Sequence, residues 1–330
     1  MSRLRIWLGS PRVLVKLALA SVVANVVIVV TGGAVRLTKS GLGCPTWPSC
    51  ADGSLVPRRE ASYHGIIENT NRQLTFVLAL IALATLVAAL VQRRERRLAG
   101  LALGIIPAQA VIGGLSVLTD LNPWVVALHF LVSMGAIGVT MLLWWRVREG
   151  PPVMVPSGAV ALCRLLVVVV AAVLVLGTVV TGSGPHAGDR NDSGRVHRTG
   201  LDVGSMSQLH ADAVMVLIGL TIGLVALLAA LHAPARARVA SWWLLGAEAA
   251  QGVIGFTQYF TQVPAVLVGI HMLGACLVWI AALRMLLILD PVVGRLPPAS
   301  DQLPAAASAA GSLPPAKTPA VGRNHRPVTR

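Results

Sequence analysis

Eight stretches of this chain, near residues 13–35, 73–92, 98–118, 124–145, 162–182, 208–231, 239–258 and 265–288, are apolar over about the twenty residues that cross the hydrocarbon core of a bilayer. Lipid offers no partner to a backbone N–H or C=O, so each run must pair those groups within itself, as a helix does. The expected fold class is therefore all-α, a polytopic membrane protein of eight transmembrane helices. At 55% hydrophobic and 12% charged residues, the chain is too apolar for an ordinary soluble domain. The first run follows a basic stretch, as a secretory signal does, but its length and the lack of a small-residue cleavage site predict a retained helix.

The formal charge of +14 raises nucleic acid as a partner, and the placement of the charges argues against it. With eight spans, 19 of the 27 Lys and Arg residues fall on one side, among them Arg3, Arg5, Arg12, Lys16, the RRERR run at 93–97, Arg146, Arg148, Arg236 and Arg238. The positive-inside rule puts that side, and both termini, in the cytoplasm of a multi-pass plasma-membrane protein. Residues 291–330 are rich in Pro, Ala and Ser without apolar periodicity and read as a disordered cytoplasmic tail.

Self-comparison divides the remainder into halves, 1–150 and 151–290. VVTGGAVRLTKSG at 29–41 is echoed by VVTGSGPHAGDRNDSG at 179–194, and QAVIGG at 109–114 by QGVIGF at 251–256. In both copies of the second motif a histidine follows the glutamine by twenty residues: His129 after Gln109 and His271 after Gln251. Each half has an even number of spans, so the copies are parallel, and the expectation is two parallel-repeat four-helix bundles. Asn71, His129, His210 and His271 fall near the outer ends of the inward-running spans, in one layer about 9 Å deep.

An ionisable side chain in a span is costly and faces a bundle interior or a partner. Two imidazoles on facing helices of a bundle ligate a haem iron from both sides, and His210 with His271 is the candidate pair. Zinc is less persuasive, because no further thiolate or carboxylate stands at ligand spacing. In IIENTNRQLTF, at 66–76, helical spacing puts Glu68, Asn71 and Arg72 on one face with His64. The guanidinium of Arg72 or Arg198 matches haem propionates, whereas His186 and His197, among Asp189, Arg190, Asp192 and Arg195, read as solvated loop. Cys44 and Cys50, in the first external loop, can keep a disulfide, as a staple or as a redox-active pair. Cys163 and Cys276, inside spans, read as small buried hydrophobes.

Over about residues 13–288 the sequence resembles the haem A synthase family. The resemblance rests on the two four-helix halves, the Cys44 and Cys50 pair, a Glu-x-x-His-Arg element matched by Glu68 to Arg72, and histidines opening the fourth, sixth and eighth spans. It implies an oxidoreductase that turns a ring methyl of haem O into the formyl group of haem A for terminal oxidase assembly. It implies haem b as cofactor, haem O synthase as supplier of the substrate, and a membrane electron-transfer partner that the sequence does not name. On the same resemblance, His210 and His271 hold haem b in 151–290. Haem O enters 1–150, where Glu68 is the catalytic candidate and His129, Asn71 and Arg72 bind substrate. The departure is Asn71, where the family pattern has histidine; an amide is a poor iron ligand and suits an open substrate position better than a second doubly ligated haem. Two other classes remain: a membrane cytochrome b that only relays electrons, and a transporter with polar groups at mid-membrane.

Overall fold

A computed structural model describes residues 7–44, 46–50, 63–148, 153–186, 188 and 197–294. Arg3, Arg5, the loop residues Asp189, Arg190, Asp192 and Arg195, and tail residues 295–330 lie outside the described residues. Eight long helices account for nearly everything else: α1 (Pro11–Leu37), α2 (Tyr63–Gln92), α3 (Arg96–Leu118), α4 (Pro123–Arg148), α5 (Ser157–Ser183), α6 (Val203–Ala230), α7 (Ala235–Phe260) and α8 (Ala265–Leu289). No strand occurs among them, and the chain is an all-α, multi-pass membrane protein.

Seven of the helices are long and apolar enough to cross a membrane, rather than the eight expected. The exception is α7, which has the length, 26 residues, but carries Arg236, Arg238, Glu248 and Gln251. It packs between α6 and α8. The other departure is at α2, whose helix starts at Tyr63, ten residues before its apolar run. A hydropathy pattern misses that turn because its polar groups are satisfied by the loop packed on it, described below.

Helix packing closes two rings. In the first, α1 touches α2 and α4, and α3 touches α2 and α4; in the second, α5 touches α6 and α8, and α7 touches α6 and α8. The rings meet through α1 with α8, α4 with α5, and α4 with α8. Exchanging the halves maps this set of contacts onto itself, as a pseudo-twofold axis passing between α4 and α8 requires. At that axis the Trp279 indole N–H donates to the Met134 carbonyl at 2.9 Å.

The repeat reaches into the turns. Asp120 and Leu121, between α3 and α4, have φ of 49° and 57°, and their counterparts Gln262 and Val263, between α7 and α8, have 61° and 57°. Leu121 N–H donates to the Ser116 carbonyl and Val263 N–H to that of Gln258, each at 2.8 Å. Left-handed backbone is disfavoured for a β-branched residue such as Val263, so its presence shows that the close approach of the two helices dictates the turn.

Candidate functional site

The four polar positions of the layer sit six to eight residues into α2, α4, α6 and α8, about 9–12 Å from the helix starts. These are the helices that stand diagonally in each bundle: α2 opposite α4, and α6 opposite α8, without mutual backbone contact. A diagonal pair leaves the bundle centre between its side chains, which is where bundles build cofactor sites. His210 and His271 stand on the diagonal helices of the second bundle.

Each polar side chain turns its edge onto a glycine of a neighbouring helix. A Cβ added at Gly113 would lie 3.2 Å from His129 Cε1, one at Gly177 3.4 Å from His210 Cε1, and one at Gly255 3.7 Å from His271 Cε1. At the fourth corner a Cβ on Gly32 would lie 3.9 Å from Asn71 Nδ2. Sequence reasoning missed these glycines as a set. In the Thr-Gly echo the counterpart of Gly32 is Gly182. Gly182 instead packs on Thr199 and Pro123, and Gly177, nearer the centre of α5, is what faces the layer.

The Nδ1 atoms of His129, His210 and His271 are buried and lack hydrogen-bond partners. The Val173 carbonyl of α5 is the backbone acceptor facing the His210 ring, without meeting strict hydrogen-bond geometry at Nδ1. Buried ring nitrogens are normally paired; in His129 and His210 Nδ1 lies on the edge turned to the glycine helix, which in His210 leaves Nε2 as the nitrogen that can meet a ligand in the bundle. Asn71 differs, because its Oδ1 already accepts the Thr31 hydroxyl at 2.8 Å. The twenty-residue Gln-to-His spacing also finds its cause. Gln109 Nε2 donates to the His129 carbonyl at 3.2 Å and Gln251 Nε2 to the His271 carbonyl at 3.1 Å, so each glutamine fixes the helix turn that carries the next helix's histidine. Gly274 leaves room for this contact, because a Cβ there would meet the Gln251 amide and displace it.

Glu68 and Arg72 are brought together with the disulfide loop. Glu68 is buried, at 5% exposure; its Oε2 accepts the Cys44 N–H at 2.7 Å, and its Oε1 accepts Arg72 Nε at 3.1 Å and Nη2 at 2.5 Å. Arg72 also donates to the carbonyls of Cys44, Thr46 and Ser49, at 3.1, 3.2 and 3.4 Å. The guanidinium thus turns its donors onto Glu68 and the loop. Cys44 and Cys50 form a disulfide, while Cys163 and Cys276 are free and buried. Gly43 lets the loop lie on the α2 backbone, since a Cβ there would lie 2.6 Å from the His64 carbonyl carbon and 2.7 Å from the Gly65 nitrogen. The Trp47 indole occupies the space that a Cβ at Gly114 would need, beside the Gly113 that faces His129, so the loop reaches over the first bundle's layer. His64 Nδ1 pairs with the Ser40 hydroxyl at 2.9 Å rather than joining the layer.

Arg198, Arg36 and His186 have structural partners. Arg198 donates to the carbonyls of Gly184 and Pro185. Arg36 donates to those of His186, at 2.6 Å, and Thr181, at 3.0 Å. His186 Nε2 lies 2.8 Å from the Val263 carbonyl, and His197 is exposed. Asp202 caps α6, eight residues before His210. It accepts the Ser205 N–H at 2.8 Å and hydroxyl at 2.7 Å, and these donors hold its carboxyl below the usual range.

Among the described residues no three His, Cys, Asp or Glu converge as a metal cluster. A porphyrin-bound iron needs only two axial donors, and the second bundle offers them on diagonal helices, with glycine flanks and ring nitrogens that no protein group has claimed. The donor set therefore fits a haem.

Residues 15–283 match COX15-CtaA, a family of cytochrome oxidase assembly proteins. The chain is similar to a protein named "Heme A synthase" from Lysinibacillus sphaericus, 36% identical over 137 residues, which are 40% of this chain and 44% of that one. It is similar to one of the same name from Geobacillus thermodenitrificans, 32% identical over 137 residues, 39% of this chain and 42% of the relative. A third, from Geobacillus kaustophilus, is 33% identical over 132 residues, 38% and 41% of the two chains. The chain thus spans less than half the length of the curated relatives it matches.

Proposed function

We propose a function on the premise that this chain belongs to the COX15-CtaA family of cytochrome oxidase assembly proteins. It is a haem A synthase, an oxidoreductase that converts a ring methyl of haem O to the formyl group of haem A. The observation that carries this reading is the unequal layer. Three corners hold a histidine with an unclaimed Nδ1 against a glycine, and the fourth holds an asparagine committed to Thr31.

His210 and His271 hold haem b in 151–290, whose chemistry when bound is one-electron transfer. The half 1–150 receives haem O, with His129 at one face and Asn71 opposite, leaving that face open for reaction. Glu68 takes protons released as the methyl carbon is oxidised, in the manner of a general base. Arg72 serves the substrate side by pairing with that carboxylate and holding the loop closed over the bundle. Haem O synthase supplies the substrate, and electrons leave to a membrane partner. The basic side faces the cytoplasm of the plasma membrane with both termini, and α7 crosses the bilayer with its neighbours.

The glycine flanks give a direct test of the haem b site. Leucine at Gly177 intrudes on the His210 ring; overpacking of this kind costs about 1–3 kcal/mol, or roughly 5- to 150-fold in affinity. A Gly177→Leu protein is expected to have its haem b affinity lowered by that factor in an optical titration with haem. Gly223→Leu, on α6 where a Cβ meets nothing within 4 Å, is expected to keep it. Equal affinity in both variants would remove the glycine flank, and the His210 site with it, from the reading.

A further inference from the structure

One buried carboxyl has no part in the chemistry above. Glu248, at the middle of α7, is 2% exposed. Thr221 of α6 donates to its Oε1 at 2.9 Å, and its Oε2 is buried without a partner. Glu248 precedes Gly255 by seven residues, close to two turns, so it shares the face of α7 that meets His271 and lies about 10 Å nearer the basic side. Thr221 follows His210 by eleven residues, about three turns, and shares the inward face of α6 in the same way. In the first half the residue three before the repeat glutamine is the buried Ile106. The carboxyl is thus confined to the bundle that carries the candidate axial pair.

A carboxylate at this depth is costly without an opposing charge. On α7 itself the cations are Arg236 and Arg238, at the helix start about 15 Å or more away; Arg236 stacks on Trp145. On α6 the titratable groups are His210 and Asp212, the latter exposed and accepting Gln208 Nε2 at 2.7 Å. On α8 they are His271, the buried Cys276, and Arg284, which lies near the basic end and interacts electrostatically with Arg236. None of these pairs with Glu248 among the described residues. A haem iron, if bound by His210 and His271, would supply a changing charge near this site, one unit more positive when ferric than when ferrous.

We propose that Glu248 is a redox-linked proton site, ionised when the haem b iron is ferric and protonated when it is ferrous. The step balances: one electron from a one-electron donor reduces the iron, and one proton from water binds Glu248 Oε2, with no other bond made or broken. The proposal rests on the haem b reading above. At an effective dielectric of about 20 and an axial separation on the order of 10 Å, one unit of charge changes proton affinity by about tenfold. Tenfold corresponds to 59 mV for one electron, so the midpoint potential should fall by about that amount as pH rises through the linked range.

The test is a spectroelectrochemical redox titration of the purified, haem-loaded protein across the neutral pH range. The wild type is expected to show the fall and Glu248→Gln a flat potential; a fall of unchanged size in Glu248→Gln overturns the proposal. Thr221→Val guards against a Gln variant that does not load haem. It keeps the carboxyl but removes a hydrogen bond that favours the charged form, so the fall should move to higher pH; a fall that stays in place overturns the proposal. Wild-type protein with no haem spectrum would defeat the haem b reading itself, whereas a haem spectrum with a pH-independent wild-type potential defeats this inference alone.

Discussion

A His210→Ala protein is expected to purify without the spectrum of a doubly ligated haem, while His129→Ala retains it. The prediction follows from the pairing of diagonal helices. His210 and His271 stand on the diagonal helices of one bundle, and removing either would leave a bound iron with a single protein donor. Even outer-shell partners of a metal ligand change affinity by roughly 10–100-fold, so loss of the ligand itself should exceed that. His129 belongs to the other bundle, opposite an asparagine rather than a histidine, and its removal should affect product formation instead. The measurement is the reduced-minus-oxidised spectrum normalised to protein. A His210→Ala spectrum equal to wild type would mean that the axial pair lies elsewhere, and a His129→Ala protein without haem would reverse the assignment of the halves.

Glu68→Gln is expected to load haem b normally and to lower haem A output by about 10²–10⁴-fold, the usual contribution of a positioned proton acceptor. Glutamine preserves the length of the side chain and a carbonyl that can still accept the Cys44 N–H, so the loop keeps one of its anchors. What it loses is the charge that pairs with Arg72. Haem content and haem A output together separate the possible outcomes. Wild-type output would reduce Glu68 to a loop anchor, and joint loss of haem and product would make it a folding residue.

Much of the architecture is visible in the sequence because lipid imposes a simple rule on the backbone, and the repeat shows itself wherever the two copies need the same residue types. The Gln-to-His spacing is the best instance, since one side-chain amide bonds the next histidine's own carbonyl in both halves. What escapes the sequence is whatever depends on rotation about a helix axis. The Thr-Gly echo is genuine, yet Gly177 rather than Gly182 faces the layer. The polar start of α2 reads as loop because its partners, Cys44 N–H and the loop carbonyls, come from residues some two dozen positions earlier. Glu248 is visible as a charge in an apolar run, but its partner Thr221 lies 27 residues away on the preceding helix, and no local pattern joins them.

The most direct test of the account is to supply the purified, haem b-loaded protein with haem O and an electron acceptor, extract the porphyrins and weigh them by mass spectrometry. Haem A is expected to appear at the expense of haem O while haem b stays constant. Recovery of haem b and unaltered haem O alone, under conditions in which haem b is reduced and reoxidised, would identify an electron-transfer cytochrome and contradict the synthase.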